Sequence, residues 1–193
     1  SRVLSLGGLR PVTAAAAEKE IARARADGDT LGGEFEVTIK GAPAGLGSFS
    51  QGGQRLSARL AAAMTGINGV KGFELGGGFG LAALGGRRAA ADPGLSGGID
   101  GGITNGRDVV IRCAVKPVPG LPGGVPARDL KTGKIKLSVS KTSDTTAVFA
   151  AAVIAEHAAA LELAAAALEK FGGDSLGELL PRVSLWRKNT ARP

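Results

Sequence analysis

The sequence predicts an α+β protein. Three observations carry this. The stretch "EFEVTIKG" (34–41) alternates cleanly, with Phe35, Val37 and Ile39 facing one way and Glu36, Thr38 and Lys40 the other. That is a strand in a sheet with one covered face. A long helical pattern from about Asp144 to Phe171 is apolar nearly all round in its first half, which places it between layers. Finally, the chain lacks the repeated βαβ alternation of a doubly wound sheet.

The elements follow in order. Val3 to Leu6 is a short apolar strand closed by Gly7 and Gly8. Thr13 offers a hydroxyl cap to the helix "AAAAEKEIARARADG", which stops at Gly28. "EFEVTIKG" is the next strand, and "APAGLGS" (42–48) a loop. A second helix starts near Gln54, with Leu56, Leu60 and Met64 at helical spacing. "GVKGFEL" reads as a strand and 76–105 as a long glycine-rich tract. "DVVIRCAVKP" is a strand ended by Pro117, and "GKIKLSVS" another, with Ile135, Leu137 and Val139 on one side. Residues 1–180 read as a single domain and 181–193 as a basic tail, partly disordered.

Composition narrows the function. The chain of 193 residues is long enough for a sizeable core. With 32 glycines, 4% aromatics and no tyrosine, packing rests on Ala, Val, Leu and Ile at close approach. The net charge of +7 favours anionic partners without choosing among them. Basic residues are scattered and aromatics few, so stacking platforms for nucleic acid are lacking. The single Cys113 cannot form an internal disulfide, which points to a reducing, cytoplasmic setting. No uninterrupted apolar run approaches the roughly 20 residues that span a bilayer, and no membrane partner is expected.

Common catalytic patterns fail. Gly78-Phe-Gly-Leu-Ala-Ala83 matches a dinucleotide fingerprint, but the helix that motif needs is broken by Gly85 and Gly86. His157 is the only histidine, so a zinc site or an acyl-transfer triad has no support, and no metal is expected. Two features point to an anion. Arg87 and Arg88 sit together in a glycine-rich segment, and Lys116 ends an apolar strand just before a proline turn.

Several stretches occur together in the order of one family. "GDTLGGEFEVTIKGAPAGLGS", "INGVKGFELGGGF", "GGIDGGITNG" and "VVIRCAVKP" resemble the C-terminal half of chorismate synthase. The resemblance implies a β-α-β sandwich, antiparallel sheets enclosing long helices, in a homotetramer. It implies a lyase of the shikimate pathway, feeding aromatic amino acid biosynthesis. Such an enzyme removes phosphate and a proton from 5-enolpyruvylshikimate 3-phosphate, with reduced FMN and no net redox change. By motif position, the flavin contacts would be Asn68, Gly69, Gly101 and Lys116, with Lys134 where the family's GRHD arginine stands. Arg87 and Arg88, which are new in what is the family's GSExxD loop, would serve an anionic substrate if the chain is part of such an enzyme.

The departures are also specific. The family's N-terminal half, with its catalytic histidines and substrate-gripping arginines, is not in this sequence. The family's KPTSS is "KPVPG", so Val118, Pro119 and Gly120 supply no hydroxyls. GRHD is replaced by "GKIK". Two readings follow from the resemblance. The chain is one subunit of a split or divergent lyase, completed by a partner chain or a homo-oligomer that brings the acid-base residues. Alternatively, it is a degenerate relative that serves as a structural or ligand-binding subunit.

Overall fold

The computed structural model describes residues 1–141 and 144–190. The strands and helices in chain order are β1 (Arg2–Leu6), α1 (Ala14–Ala26), β2 (Gly33–Ile39), α2 (Leu56–Thr65), β3 (Val70–Leu75), α3 (Gly86–Ala91), β4 (Ile99–Asp100), β5 (Ile103–Thr104), β6 (Val109–Val115), β7 (Val125–Arg128), β8 (Ile135–Ser138), α4 (Val148–Phe171) and α5 (Leu176–Thr190). Helices and antiparallel sheets segregate, so the α+β class is as expected.

The main sheet has the order β1-β2-β6-β3, antiparallel throughout. Phe35, Val37, Val109, Ile111, Cys113 and Val115 point to one face and are buried there. Alternation in the sequence thus becomes a covered face, with α2 and α4 lying over it. Leu56, Leu60 and Met64 of α2 are fully buried, as their spacing predicts. The other face is polar, with ion pairs Arg2–Glu36 at 2.8 Å and Arg10–Glu34. Cys113 sits in the central strand, and burial pushes its thiol up to about 12. Its place is that of a small core residue rather than a nucleophile.

Thr13 caps α1 by accepting from the Ala16 N–H, and Gly28 at φ +66° ends the turn beyond it. The 76–105 tract is less irregular than its composition implies. It folds into a 3-10 turn over Gly78–Ala83, the short α3, a second 3-10 turn over Pro93–Ser96, and the β4–β5 hairpin. The Gly78 glycines open a 3-10 turn rather than an α-helix, so the dinucleotide geometry is not built.

The loop 42–48 is fastened to β5. Gly45 N–H donates to the Thr104 carbonyl at 2.7 Å and Thr104 N–H to the Leu46 carbonyl at 3.0 Å. The buried Thr104 hydroxyl donates to the Pro43 carbonyl at 2.6 Å and accepts from the Leu46 N–H at 2.8 Å. Valine at this position leaves both backbone groups unpaired. Thr104→Val is expected to cost about 2–3 kcal/mol. A urea midpoint that falls with an unchanged slope would show it, and an unchanged midpoint would refute it.

Three expectations need correction. The segment read as a basic tail from 181 is helical to Thr190, because α5 docks back through Trp186; residues 191–193 lie outside the described residues. The long helix begins at Val148 rather than Asp144, and its 24 residues are long and apolar enough to cross a membrane by length and composition. Counting uninterrupted apolar residues missed this, because Glu156 and Glu162 break the run but not the helix. One face of α4 is laid against β2, β1 and α2. Third, β8 forms as predicted, but it pairs with β7 in a separate hairpin, and Ile135, Leu137 and Val139 are exposed rather than covered.

α4 carries a second apolar face. Val148, Ala151, Ala152, Ala155 and Ala159 are buried against the sheet, whereas Phe149, Val153, Ile154, Leu161 and Leu168 are exposed. The helix is apolar on both sides, yet the described residues cover only one.

Candidate functional site

β3 begins and β6 ends at the same edge of the sheet, where Val70 pairs with Val115. The Lys116 N–H donates to the Gly69 carbonyl at 2.9 Å, extending that pairing into the loop before β3. Gly69 sits at φ +89°, a left-handed turn that lets the chain leave α2 and enter the strand. Beyond this edge lies a cavity of about 460 Å³ lined by Asn68, Gly69, Lys71, Lys116, Pro117 and Val118, among others. Three of the five residues assigned to the flavin from sequence, Asn68, Gly69 and Lys116, therefore meet in one place.

Lys71 is the residue that sequence reading missed. The register shifts between Val70 and Gly72, so the strand bulges at Lys71. A bulge re-aims a side chain, and it is decided by pairing to a distant strand rather than by local sequence. The only signal was the lysine inside "INGVKG". Neither Lys71 nor Lys116 has an ion-pair partner among the described residues. Two unpaired ammonium groups at a concave, mostly apolar site suit a phosphate or carboxylate. The wall following Lys116 has no hydroxyl to add, and the Val118 carbonyl is taken by the Thr30 hydroxyl at 2.7 Å.

Gly101 lies elsewhere. It forms the β4–β5 turn at φ +59°, with nothing within 4 Å of where a Cβ would stand. The neighbouring Gly102 carbonyl accepts from the Leu56 N–H at 2.9 Å, which puts this turn at the start of α2. Asn68 and Gly69 follow the end of the same helix. Ten residues at 1.5 Å each separate the two points by about 15 Å. Gly101 is thus outside the lysine pocket.

The remaining assignments are not gathered. Arg87 and Arg88 lie on α3, exposed, beyond the Leu75 end of β3 and so across the strand from Lys116. Lys134 stands in the β7–β8 turn, where its carbonyl accepts from the Asp129 N–H, and it lines no part of the lysine pocket. His157 is exposed on α4, its Nδ1 2.8 Å from the Val153 carbonyl of its own helix. A larger opening of about 720 Å³ lies between α2 and α4. Its cation, Arg59, is already paired with Glu162 at 2.9 Å and Glu169 at 2.8 Å, so it ties two helices together rather than awaiting an anion.

A one-sided antiparallel sheet backed by helices, with two unpaired lysines at a strand-edge cavity and a bare glycine turn one helix-length away, defines an α+β protein with a candidate anion site. The comparisons agree and are more specific. The chorismate synthase family profile matches residues 6–168. The chain is 46% identical over 182 residues to the chorismate synthase of Desulforamulus reducens, covering 88% of this chain and 47% of that protein. It is 44% identical over 186 residues to that of Nocardia farcinica, covering 90% and 46%. A crystal structure of chorismate synthase superposes with a TM-score of 0.74 at 32% identity, over 91% of this chain and 48% of that one. The chain belongs to the chorismate synthase family, and it spans about half the length of the relatives it matches.

Proposed function

We propose that the chain is the flavin-holding half of a chorismate-synthase-type lyase, one that eliminates phosphate from 5-enolpyruvylshikimate 3-phosphate or a related anionic cyclic acid. The observation that carries this is the meeting of Asn68, Gly69 and Lys116 at one cavity with a second free cation, Lys71. These residues fit an FMN phosphate, with Lys116 and Lys71 as its counter-charges. The open Gly101 backbone fits the flat ring, since no Cβ would hold the ring away. Reduced FMN supplies electron density to the substrate without net oxidation. The chain's own residues bind and orient it. The proton-transfer residues come from the family's other half, in the same polypeptide or in a partner chain.

Lys116→Gln is expected to weaken FMN binding about tenfold, through loss of one charge-assisted contact. Riboflavin, which lacks the phosphate, should bind wild type and variant alike. A titration followed by flavin fluorescence checks this. Equal FMN affinity for the two proteins would remove Lys116 from the site. A second reading is supported by Val118, Pro119 and Gly120, which offer the phosphate no hydroxyl. In that reading the chain is a ligand-free scaffold, and the wild type shows no FMN binding even at millimolar flavin.

A further inference from the structure

We propose that Trp186, on α5, is a positioning residue that sets the Gly101–Gly102 turn and with it the surface offered to the flavin ring. The ligand part of this rests on the function proposed above. The helix carrying Trp186 lies beyond the family match at residue 168. Its indole N–H donates to the Ala44 carbonyl at 2.7 Å. The Lys170 ammonium lies 3.8 Å from the indole centroid, and Phe171 meets the indole edge-on at 6.4 Å. The end of α4 thereby packs on the indole that α5 carries, while the indole grips the loop 42–48.

The loop passes this constraint on directly. One residue beyond Ala44, the Gly45 N–H bonds to the Thr104 carbonyl. Gly47 forms an isolated bridge to Ile103. Backbones approach too closely here for slack: a Cβ on Gly47 would stand 2.6 Å from the Gly102 carbonyl oxygen, and one on Gly102 2.6 Å from the Ser48 carbonyl oxygen. At such distances the loop cannot move without moving the turn. Trp186 touches no proposed ligand. It acts through Ala44, Thr104 and Gly102.

The test uses the whole chain and two variants. Trp186→Phe keeps an aromatic ring beside Lys170 and Phe171 and removes only the N–H. Trp186→Ala removes the whole anchor. Hydrogen exchange without ligand is read at the Gly45, Thr104 and Leu56 amides, whose acceptors lie in the loop and turn. Both variants are expected to exchange at least tenfold faster there, with Ile111 and Cys113 in the central strand unchanged. FMN should bind about tenfold more weakly, while inorganic phosphate at Lys116 and Lys71 binds as in wild type. Unchanged exchange at the three amides overturns the proposal whether or not flavin binds. Faster exchange with unchanged FMN affinity also overturns it, because the turn would then move without consequence for the ligand. Faster exchange in the two variants, with a wild type that binds no FMN, would sustain the positioning of the turn and refute the flavin reading alone.

Discussion

Gly76→Ala is expected to prevent the native fold from forming, or to lower stability by more than about 4 kcal/mol. That places it among the exceptional single substitutions. Gly76 follows β3 directly, at φ +57°, and Gly97 faces it at φ +66°. A Cβ on Gly76 would collide with the Gly97 amide nitrogen and the Leu95 carbonyl oxygen, both backbone atoms that cannot rotate away. The reciprocal Cβ on Gly97 would collide with Gly76. Two costs add: a side chain in a left-handed conformation, and displacement of a neighbouring backbone. The bonds that would break are known. Gly76 N–H donates to the Val110 carbonyl at 2.9 Å, Gly77 N–H to the Leu95 carbonyl at 2.8 Å, and Val110 N–H to the Gly97 carbonyl at 3.2 Å. The Arg112 guanidinium also donates to the Gly76 carbonyl. Gly80→Ala is the control, since no heavy atom lies within 4 Å of its Cβ position. Thermal unfolding of the two variants should separate them by more than about 10 °C at this chain length. Similar midpoints would refute the packing argument.

The same glycines show where sequence reading succeeds and where it stops. Alternation in β2 and helical spacing in α2 are set by which side chains leave water, so the buried faces could be read residue by residue. The purpose of the glycines from Gly66 to Gly80 could not. A glycine kept bare for a ligand and one kept bare for another backbone look alike in one dimension. The structure separates them: Gly76 and Gly78 meet protein atoms, whereas Gly101 meets none. The site was half legible for a similar reason. Asn68, Gly69 and Lys116 could be grouped from sequence because the resemblance ties them to motifs that converge at one strand edge. Lys71 escaped because the bulge that aims it depends on β6, about 40 residues away in sequence. The docking of α5 was hidden too. It depends on one indole finding the Ala44 carbonyl, 142 residues upstream, and no local pattern encodes that.

Charging the exposed face of α4 is expected to leave the isolated chain folded and to abolish its union with the family's other half. Val153 and Leu161 are 54% and 73% exposed, and neither belongs to the buried cluster. Val153→Asp with Leu161→Asp should therefore shift the stability of the chain by under about 1 kcal/mol, as surface changes do. The face they share with Phe149, Ile154 and Leu168 is a mostly apolar stripe, interrupted by the exposed His157 between Val153 and Leu161, on a helix already packed on its opposite side. In water such a stripe has no reason to be kept, because a polar residue would serve there equally well. The chain spans about half of its relatives, and its sheet covers only one side of α4. On the function proposed above, the family's other half is the expected cover, closing the sandwich over that stripe. Each large side chain it buries contributes roughly 1 kcal/mol or more, so five support a stable union. Two aspartates must then be desolvated without partners, at several kcal/mol. Binding of a separately produced N-terminal half should weaken by more than about a hundredfold, read by native mass spectrometry or sedimentation. Turnover of the phosphorylated enol-ether should disappear with it. A variant that still assembles and turns over would place the other half on a different surface, leaving the second face of α4 without a role.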